Sequence, residues 1–308
     1  MPNMVAHIYF GKEVLKELPA EIKQICEKYL DAFLYGTIGP DFLFALREIG
    51  DPAKRYTNIM QTCRVYETFR SIAKRLCEVK DEREISYAMG LMCHYVADFN
   101  IHPYVWFFCE EGFVKDLELL DKPHVHGHIE LAFDEYTARE LIKDRWYKPA
   151  KDLRTSAKTN EAIANFYVGA VNKIVGLDVS KFKIKLAVKV TRFFARVAFD
   201  RTGIKKRIFK FLEEKVLHAR KLTTSMRPPY GYGEIDYLNF SHKPFRKVRD
   251  MDETINLSFP ELLEKSKEIA VDYAVKFYEA IKKDGDLEPM GGYEAFKINY
   301  EGVTNIKP

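Results

Sequence analysis

The sequence predicts an all-α fold, a bundle built from many helices. Apolar residues recur at helical spacing almost throughout the 308 residues, and the sustained alternation that marks a half-buried strand is hard to find. Short segments rich in proline and glycine separate the apolar runs and are typical of turns. With 47% hydrophobic residues, the chain has enough apolar material for a large buried core.

The helices and turns follow one another in a regular order. We expect helices at about 11–34, 40–49, 57–79, 82–108, 125–144, 158–176, 181–220 and 259–284, with ends accurate to ~2–4 residues. The turn segments are GTIGP at 36–40, GDP at 50–52, HP at 102–103, KPAKD at 148–152 and RPPYGYGE at 227–234. None is long or polar enough for a flexible linker between domains, so we predict one domain.

The last predicted helix has a clear start. The preceding residues 222–257 are rich in Pro, Gly and Tyr. Ser258 then suits an N-cap, Pro260 falls in the first turn, and Glu261 takes the third helical position of a capping box. The final stretch, 286–308, is predicted to be an irregular tail.

Composition makes nucleic acid an unlikely partner without excluding it, and it favours one cellular location. The net charge is only +4 with 31% charged residues, so neither nucleic acid nor membrane is required as a partner. The five cysteines have no C-x-x-C spacing, and we expect reduced thiols. The sequence shows neither a signal-peptide pattern nor a run of roughly 18 apolar residues. These features favour a cytoplasmic protein.

Residues 94–102, HYVADFNIH, place three metal-ligand types on one helix face. His94, Asp98 and His102 are four residues apart in each step. At about 100° per residue they lie within roughly 80° of one another. One histidine on an apolar face is more often a hydrogen-bonded core residue than a ligand. A carboxylate buried between two imidazoles without a cation, however, costs several kcal/mol.

A second segment, HVHGHIELAFD, repeats this spacing. His126, Glu130 and Asp134 again follow one another at intervals of four residues. His124 and His128 compete with His126 for the register, but His128 and Glu130 point roughly 200° apart on a helix, which favours His126. Two such stripes predict a multi-helix bundle with metal ligands on facing helices.

The residue types favour catalytic zinc. Imidazole nitrogen mixed with carboxylate oxygen suits zinc, and the stripes contain no cysteine, which argues against a closed structural site. Asp98, with a histidine on either side, is placed to bridge two ions about 3.5–4 Å apart.

Two upstream residues are further candidates. His7 lies in VAHIYFG, which we expect to precede the first helix. Asp41 follows Gly39-Pro40 at a predicted helix start. The alternative role for Asp41 is a carboxylate that is favoured there only by the helix dipole. Local sequence favours this alternative for Asp41, and it gives only a small preference for a role other than metal binding at His7.

These motifs together resemble the zinc-dependent phospholipase C family, whose all-helical fold is shared with single-strand nucleases. The resemblance covers roughly the first 145 residues, and the SFPEL helix near 258 is also similar to a late helix of such proteins. It rests on the histidine before FG, the GPD motif, the HYxxDxxxHP segment, and HxxxE with a following aspartate, that is, on His7, Gly39–Asp41, His94, Asp98, His102, Pro103, His126, Glu130 and Asp134.

The resemblance implies a cleft with up to three zinc ions and hydrolysis of a phosphate ester by activated water. Asp41, His94 and Asp98 would hold one ion, and Asp98 would bridge to a second ion that His7 helps to bind. Asp41 would also act as the general base or orient the water. The remaining ion would be held by His102, His126 and Glu130.

The chain departs from the secreted members of this family. Those use a processed N-terminal amine and an additional histidine before the HxxxD segment, whereas residues 42–93 here contain no histidine. We therefore expect one to three zinc ions. The reserve ligands are Asp134, His128 and His124.

The resemblance also implies how the chain is divided. We expect a single domain of this family over residues 1–308. Its metal-bearing core would span about 1–145. The helical remainder, 146–285, would either form a separate lobe or wrap this core, and the tail follows it.

Residues 181–221 are strongly basic, with fourteen Lys/Arg against three acidic residues. An apolar stripe lies opposite four basic residues on the helix, and the two sets are Leu186, Val190, Phe193, Phe194, Val197 and Lys185, Lys189, Arg192, Arg196. One interpretation is peripheral contact with an anionic membrane. The alternative, which the norm for globular proteins favours, is a packed helix with a solvated basic face.

Three functional hypotheses follow. The first is a zinc-dependent phosphoesterase, a phospholipase C-like hydrolase that acts on a phospholipid or small phosphodiester. The second is a metal-binding helical protein with a structural or regulatory role and no turnover. The third is a single-strand nuclease of the same fold, which would be strongly inhibited by salt.

Overall fold

The fold is all-α, as the sequence predicts. The computed structural model of the protein describes residues 4–47, 64–111, 122–176, 178–198, 200, 202, 204–213, 226–227, 232–246 and 254–296. In these ranges the regular structure is helical apart from an antiparallel pair of two-residue strands, β1 (Phe245–Arg246) and β2 (Thr254–Ile255).

The helices follow in a near-continuous series. They are α1 (Met4–Glu17), α2 (Ala20–Lys28), α3 (Leu30–Gly36), α4 (Phe44–Arg47), α5 (Val65–Val79), α6 (Glu82–Glu111), α7 (Lys122–Tyr136), α8 (Pro149–Asp152), α9 (Ala157–Phe166), α10 (Asn172–Val175), α11 (Lys181–Val197), α12 (Ile204–Leu212), α13 (Phe259–Lys283) and α14 (Gly292–Ala295). Two 3-10 helices span Gly39–Leu43 and Glu288–Met290, and π turns at Thr137–Leu141 and Tyr167–Val171 extend α7 and α9.

Helix α6 is the centre of the fold. Tyr87, Ala88 and Met89, which point in three different directions on the helix, are all fully buried. A helix that is apolar on all sides is buried on all sides, and α6 packs against α1, α3 and α13. Polar side chains on the middle of α6, such as His94 and Asp98, can therefore lie inside the protein.

Helices α3 and α6 cross closely at two glycines. A Cβ on Gly90 would lie 2.1 Å from the Phe33 carbonyl oxygen, and one on Gly36 would lie 2.2 Å from that of Tyr87. Because no real side chain fits such a gap, the crossing requires glycine at both positions. The crossing brings the segment that follows α3 alongside the middle of α6.

The predicted helix at 11–34 is wrong at its start and in its interior. Helix α1 begins at Met4, and the chain breaks before Ala20, at Pro19, and again at Tyr29, which has a φ of −120°. The early start has a tertiary cause: the backbone N–H of Ala6 donates to the Asp134 carboxylate. Such an acceptor satisfies an N–H group that a helix start otherwise leaves unpaired.

The predicted turn at His102-Pro103 is also wrong, because α6 continues through Pro103 to Glu111. Proline removes one helical hydrogen bond, but its fixed φ is compatible with a helix, and packing around α6 holds the two halves together. His102 therefore stays one helical turn beyond Asp98.

Other differences are smaller. The capping box at Ser258 and Glu261 is confirmed. The basic segment forms two helices, α11 and α12, rather than one, and part of the predicted tail forms the short helix α14. The predicted turn at 50–52, and residues 48–49, 57–63, 214–220, 228–231 and 297–308 of other predicted segments, lie outside the described residues.

The apolar stripe that we predicted on α11 does not face the core. The residues that pack inward are instead Ile184, Ala187, Val188, Thr191 and Ala195. They are smaller than the aromatic residues of the predicted stripe and fit a close approach to neighbouring helices. Hydrophobicity alone suggested the wrong face.

Two further observations concern the described residues. Four of the cysteines fall there and are free thiols, with Cys26 and Cys93 buried. No helix in this part of the chain combines the length and apolar character needed to cross a membrane.

Candidate metal centre

Asp98 lies at the centre of a cluster of imidazoles inside the bundle. Its Oδ2 atom is 3.1 Å from His94 Nε2, and its Oδ1 atom is 3.2 Å from His102 Nδ1. All three residues lie on one face of α6, as their spacing predicts. Asp98 and His94 are buried and His102 is partly buried.

Helix α1 adds a third imidazole to Asp98. The Nε2 atom of His7 is 3.2 Å from Asp98 Oδ1, and the His7 and His94 rings are 4.4 Å apart. His7 is part of α1 and does not precede the first helix as predicted. A position on a rigid helix fixes its ring more firmly than a loop would.

A second group forms where α6 meets α7. Glu130 Oε1 lies 2.9 Å from His126 Nε2 and 3.3 Å from His102 Nε2, and the two imidazole rings stack at 5.4 Å. His102 therefore contacts Asp98 through one ring nitrogen and Glu130 through the other. The two groups form one continuous cluster.

Asp41 lies beside the same cluster, in the 3-10 helix that follows the α3–α6 crossing. Burial raises the pKa of its carboxyl group; the nearby His94 opposes this, and Asp98 adds to it. A carboxyl group whose pKa is raised toward neutrality is better suited to accept a proton than an ordinary aspartate.

Gly39 sets the distance between this segment and His94. Its φ is +53°, and a Cβ there would lie 2.1 Å from His94 Cδ2. The backbone needs glycine for its left-handed conformation and again for its contact with the ring. The adjacent Thr37 carbonyl oxygen lies 3.2 Å from His94 Nδ1, which directs Nε2 toward Asp98. Histidines that bind a metal through one ring nitrogen are commonly oriented by such a contact at the other ring nitrogen.

The charges of the cluster are strongly coupled. Burial acts to raise the pKa of the Asp98 carboxyl, but the imidazoles of His102, His94 and His7 hold that pKa well below its usual range. Burial acts in the opposite direction on His102, yet Asp98 and Glu130 raise its imidazole pKa well above the ordinary value. The carboxylates thus stay ionised and attract positive charge.

The donors fit a zinc ion. Two sets, each with ligand atoms within 4.8 Å of one another, are His7, His94, Asp98 and His102, His126, Glu130. Within the described residues, Glu130 Oε2 is buried and has no hydrogen-bond partner. Such an atom costs free energy unless a cation or donor reaches it. Nitrogen and carboxylate donors without thiolate are the set that holds catalytic zinc.

The reserve ligands lie elsewhere. Asp134 accepts a 2.9 Å hydrogen bond from the Ala6 N–H at the start of α1, and burial raises its pKa to about 7. His128 is buried on α7 but belongs to neither set. The side chain of His124 is outside the described part of the chain.

Sequence reasoning missed the residues that support the cluster. Arg227 donates to the backbone oxygens of Asp134 and Tyr147, and Trp106 lies edge-on to His126 with ring centroids 5.0 Å apart. Trp106 follows His102 by four residues, a spacing that the sequence does show. Nothing in the local sequence connects Arg227 to α7.

The comparisons with known proteins point in the same direction as the donor set. Neither the curated proteins nor the solved structures give a significant match. A family model described as zinc dependent phospholipase C matches residues 6–177, which is more than half of the chain and includes both sets of candidate ligands. The protein that holds this His/Asp/Glu cluster inside a helical bundle therefore belongs to the zinc-dependent phospholipase C family.

Proposed function

We propose that the protein is a zinc-dependent phosphoesterase that hydrolyses a phosphodiester bond of a phospholipid or a smaller phosphate ester. The observation that carries this proposal is the continuous cluster in which His102 joins Asp98 to Glu130. The cluster offers more donor atoms than one ion needs. Such a site suits a reaction in which more than one oxygen carries charge. Membership of the family supports phospholipid as the substrate class.

Two sets of residues would hold the metal centre, and Asp41 would act on the attacking water. His7, His94 and Asp98 would hold one part of the metal centre, and the other set, on α6 and α7, would hold the rest. When bound, zinc lowers the pKa of water from 15.7 toward about 7 and neutralises phosphate oxygens.

Asp41 would orient the attacking water and accept its proton. Burial raises the pKa of its carboxyl group, and the Asp98 and Glu130 carboxylates of the cluster act in the same direction. No covalent nucleophile is needed in this scheme, because water attacks phosphorus in line with the leaving alkoxide.

The test combines metal analysis with a substrate screen on the purified full-length protein. We expect bound zinc and hydrolysis of bis(4-nitrophenyl) phosphate and phospholipid vesicles, both lost on chelation and restored by zinc. Asp41, which the resemblance placed among the zinc ligands, belongs to neither set of close donors, so Asp41→Asn should keep its zinc but lower kcat by roughly 10²–10⁴-fold. The matched control Asp272→Asn, an exposed position on α13, should behave like the wild type.

Other outcomes would overturn the proposal. Absence of bound metal, together with absence of zinc- or manganese-dependent hydrolysis, would contradict it outright. Stoichiometric zinc without turnover of any substrate would support a structural or regulatory role instead. Cleavage restricted to single-stranded DNA, and suppressed by salt, would identify a nuclease.

A further inference from the structure

Helix α11 presents its largest apolar side chains away from the core. Phe182 is 74% exposed and Phe193 is 60% exposed. The two lie within roughly 20° of each other on the helix, and roughly 180° from the fully buried Thr191. A packed amphipathic helix has the opposite arrangement, with its large apolar residues inward. Exposed aromatic side chains grouped on one face are typical of an interaction surface.

Helix α12 repeats this arrangement. Ile204, Ile208 and Phe211 are 57%, 53% and 61% exposed, and their spacing of four and three residues puts them on one face. Lys206, on the other side, donates to the Met226 carbonyl oxygen at 3.2 Å. Lys206 therefore faces the protein, whereas the apolar side of α12 faces outward.

The charges on these two helices are of one sign, although Glu161 of α9 pairs with Lys181 and Lys185 at the start of α11. Helices α11 and α12 contain ten Lys/Arg and no Asp or Glu. Lys189 and Arg196, which we predicted opposite the apolar stripe, are exposed, and each lies within four positions of Phe193, so both basic side chains instead border the aromatic face. Apolar residues bordered by lysine and arginine are the pattern of a helix that lies in the interface of an anionic membrane.

We propose that the exposed faces of α11 and α12, here called the α11–α12 surface, dock the protein on an anionic phospholipid membrane. Phe182, Phe193 and Phe211 would enter the boundary between headgroups and acyl chains, while Lys189 and Arg196 would contact lipid phosphates. The inference rests on the proposed function only in taking phospholipid as the substrate. The surface begins at residue 181, beyond the family match at 6–177.

Charge argues against a second copy of the chain as the occupant. Two α11–α12 surfaces placed face to face would bring the exposed Lys189 and Arg196 of each copy together, and like charges at an interface oppose association. An anionic bilayer supplies the opposite charge together with an apolar layer. Both features of the surface are then matched by one partner.

The experiment is co-sedimentation of the full-length protein with phosphatidylcholine vesicles that contain or lack phosphatidylserine. We expect binding that requires phosphatidylserine, weakens with salt, and falls at least tenfold in Phe182→Ser/Phe193→Ser and in Lys189→Glu/Arg196→Glu. The matched controls are Phe240→Ser/Tyr293→Ser, whose aromatic residues are 52% and 55% exposed elsewhere, and Lys74→Glu/Lys265→Glu, which makes the same charge change on α5 and α13. Both controls should bind like the wild type.

Four results would overturn the proposal. The first is a wild type that does not sediment with anionic vesicles. The second is an equal loss of binding in controls and test variants. The third is a lower melting temperature in Phe182→Ser/Phe193→Ser without loss of vesicle binding, which would show that the protein itself covers this face. A concentration-dependent dimer that the test variants dissociate would assign the surface to a second copy.

Hydrolysis of bis(4-nitrophenyl) phosphate separates this inference from the proposed function. Sedimentation needs no turnover, so binding without hydrolysis of any substrate would retain the docking surface and reject the enzyme. Hydrolysis of the soluble ester without vesicle binding would retain the enzyme and reject the docking surface. The test variants should cleave the soluble ester at the wild-type rate.

Discussion

The Asp134 carboxylate accepts a 2.9 Å hydrogen bond from the backbone N–H of Ala6. The two residues are 128 positions apart in the sequence, and the bond joins α7 to the first turn of α1. His7 follows Ala6 directly, so this contact fixes the helix end that carries one of the imidazoles around Asp98. Asp134 therefore acts on the metal centre through the backbone of α1.

Replacing Asp134 should loosen that helix end. In Asp134→Ala, the buried N–H of Ala6 loses its acceptor, and we expect a loss of roughly 1–3 kcal/mol in the free energy of unfolding. Zinc affinity should fall as well, because His7 is no longer held in place. Urea denaturation and zinc titration measure the two effects. Glu140→Ala, at an exposed position just after α7, is the control, and an equal loss there would contradict the role given to Asp134.

The helical class and much of the ligand set could be predicted because both depend on short-range spacing. His94, Asp98 and His102 share a face for any helix that runs through them, and the same holds for His126 and Glu130. The start of α1 could not be predicted, because the acceptor that caps it, Asp134, comes from another helix.

The orientation of α11 shows a second limit of sequence reasoning. Phe193 and Leu186 suggested a buried stripe, whereas the packed face carries Ala187 and Ala195. Local hydrophobicity predicts burial only when the core has room for the side chain. Close helix packing instead selects small residues, and a partner outside the chain can satisfy large ones.

Gly39 and Gly176 offer a matched pair of substitutions. Both have positive φ, +53° and +67°, but a Cβ on Gly39 would meet His94 whereas a Cβ on Gly176 meets nothing within 4 Å. Each alanine variant should lose about 1–2 kcal/mol of stability from backbone strain. Only Gly39→Ala should also lose zinc, because it displaces the His94 ring. Equal zinc content in the two variants would show that contact with Gly39 does not position His94.

Asp98 and Glu130 should differ in how many ions they hold. Asp98 lies within 3.2 Å of His7, His94 and His102, whereas Glu130 contacts only His102 and His126 among the candidate ligands. Counting the candidate ligands whose side chains the structure describes, we expect Asp98→Asn to lose more than one zinc ion per protein and Glu130→Gln to lose one. Elemental analysis of the dialysed variants measures this. Loss of a single ion from Asp98→Asn would argue against a bridging carboxylate.

Zinc should stabilise the protein more at pH 8 than at pH 6. Carboxylate neighbours raise the pKa of His94 and His102. In the metal-free protein their stabilising charge is therefore fully present below the unfolded pKa of about 6.5, and it is lost as pH rises through the higher folded value. Zinc needs the neutral imidazole, so protons compete with it at low pH. The rise in Tm on adding zinc to chelator-treated protein should grow from pH 6 to pH 8.

The control for this prediction is His242, an exposed histidine that is not one of the candidate ligands and that pairs with Glu261. His242→Gln should leave the pH dependence of the zinc effect unchanged, whereas Glu130→Gln should flatten it. A zinc effect on Tm that does not vary with pH would mean that histidine is not the main donor.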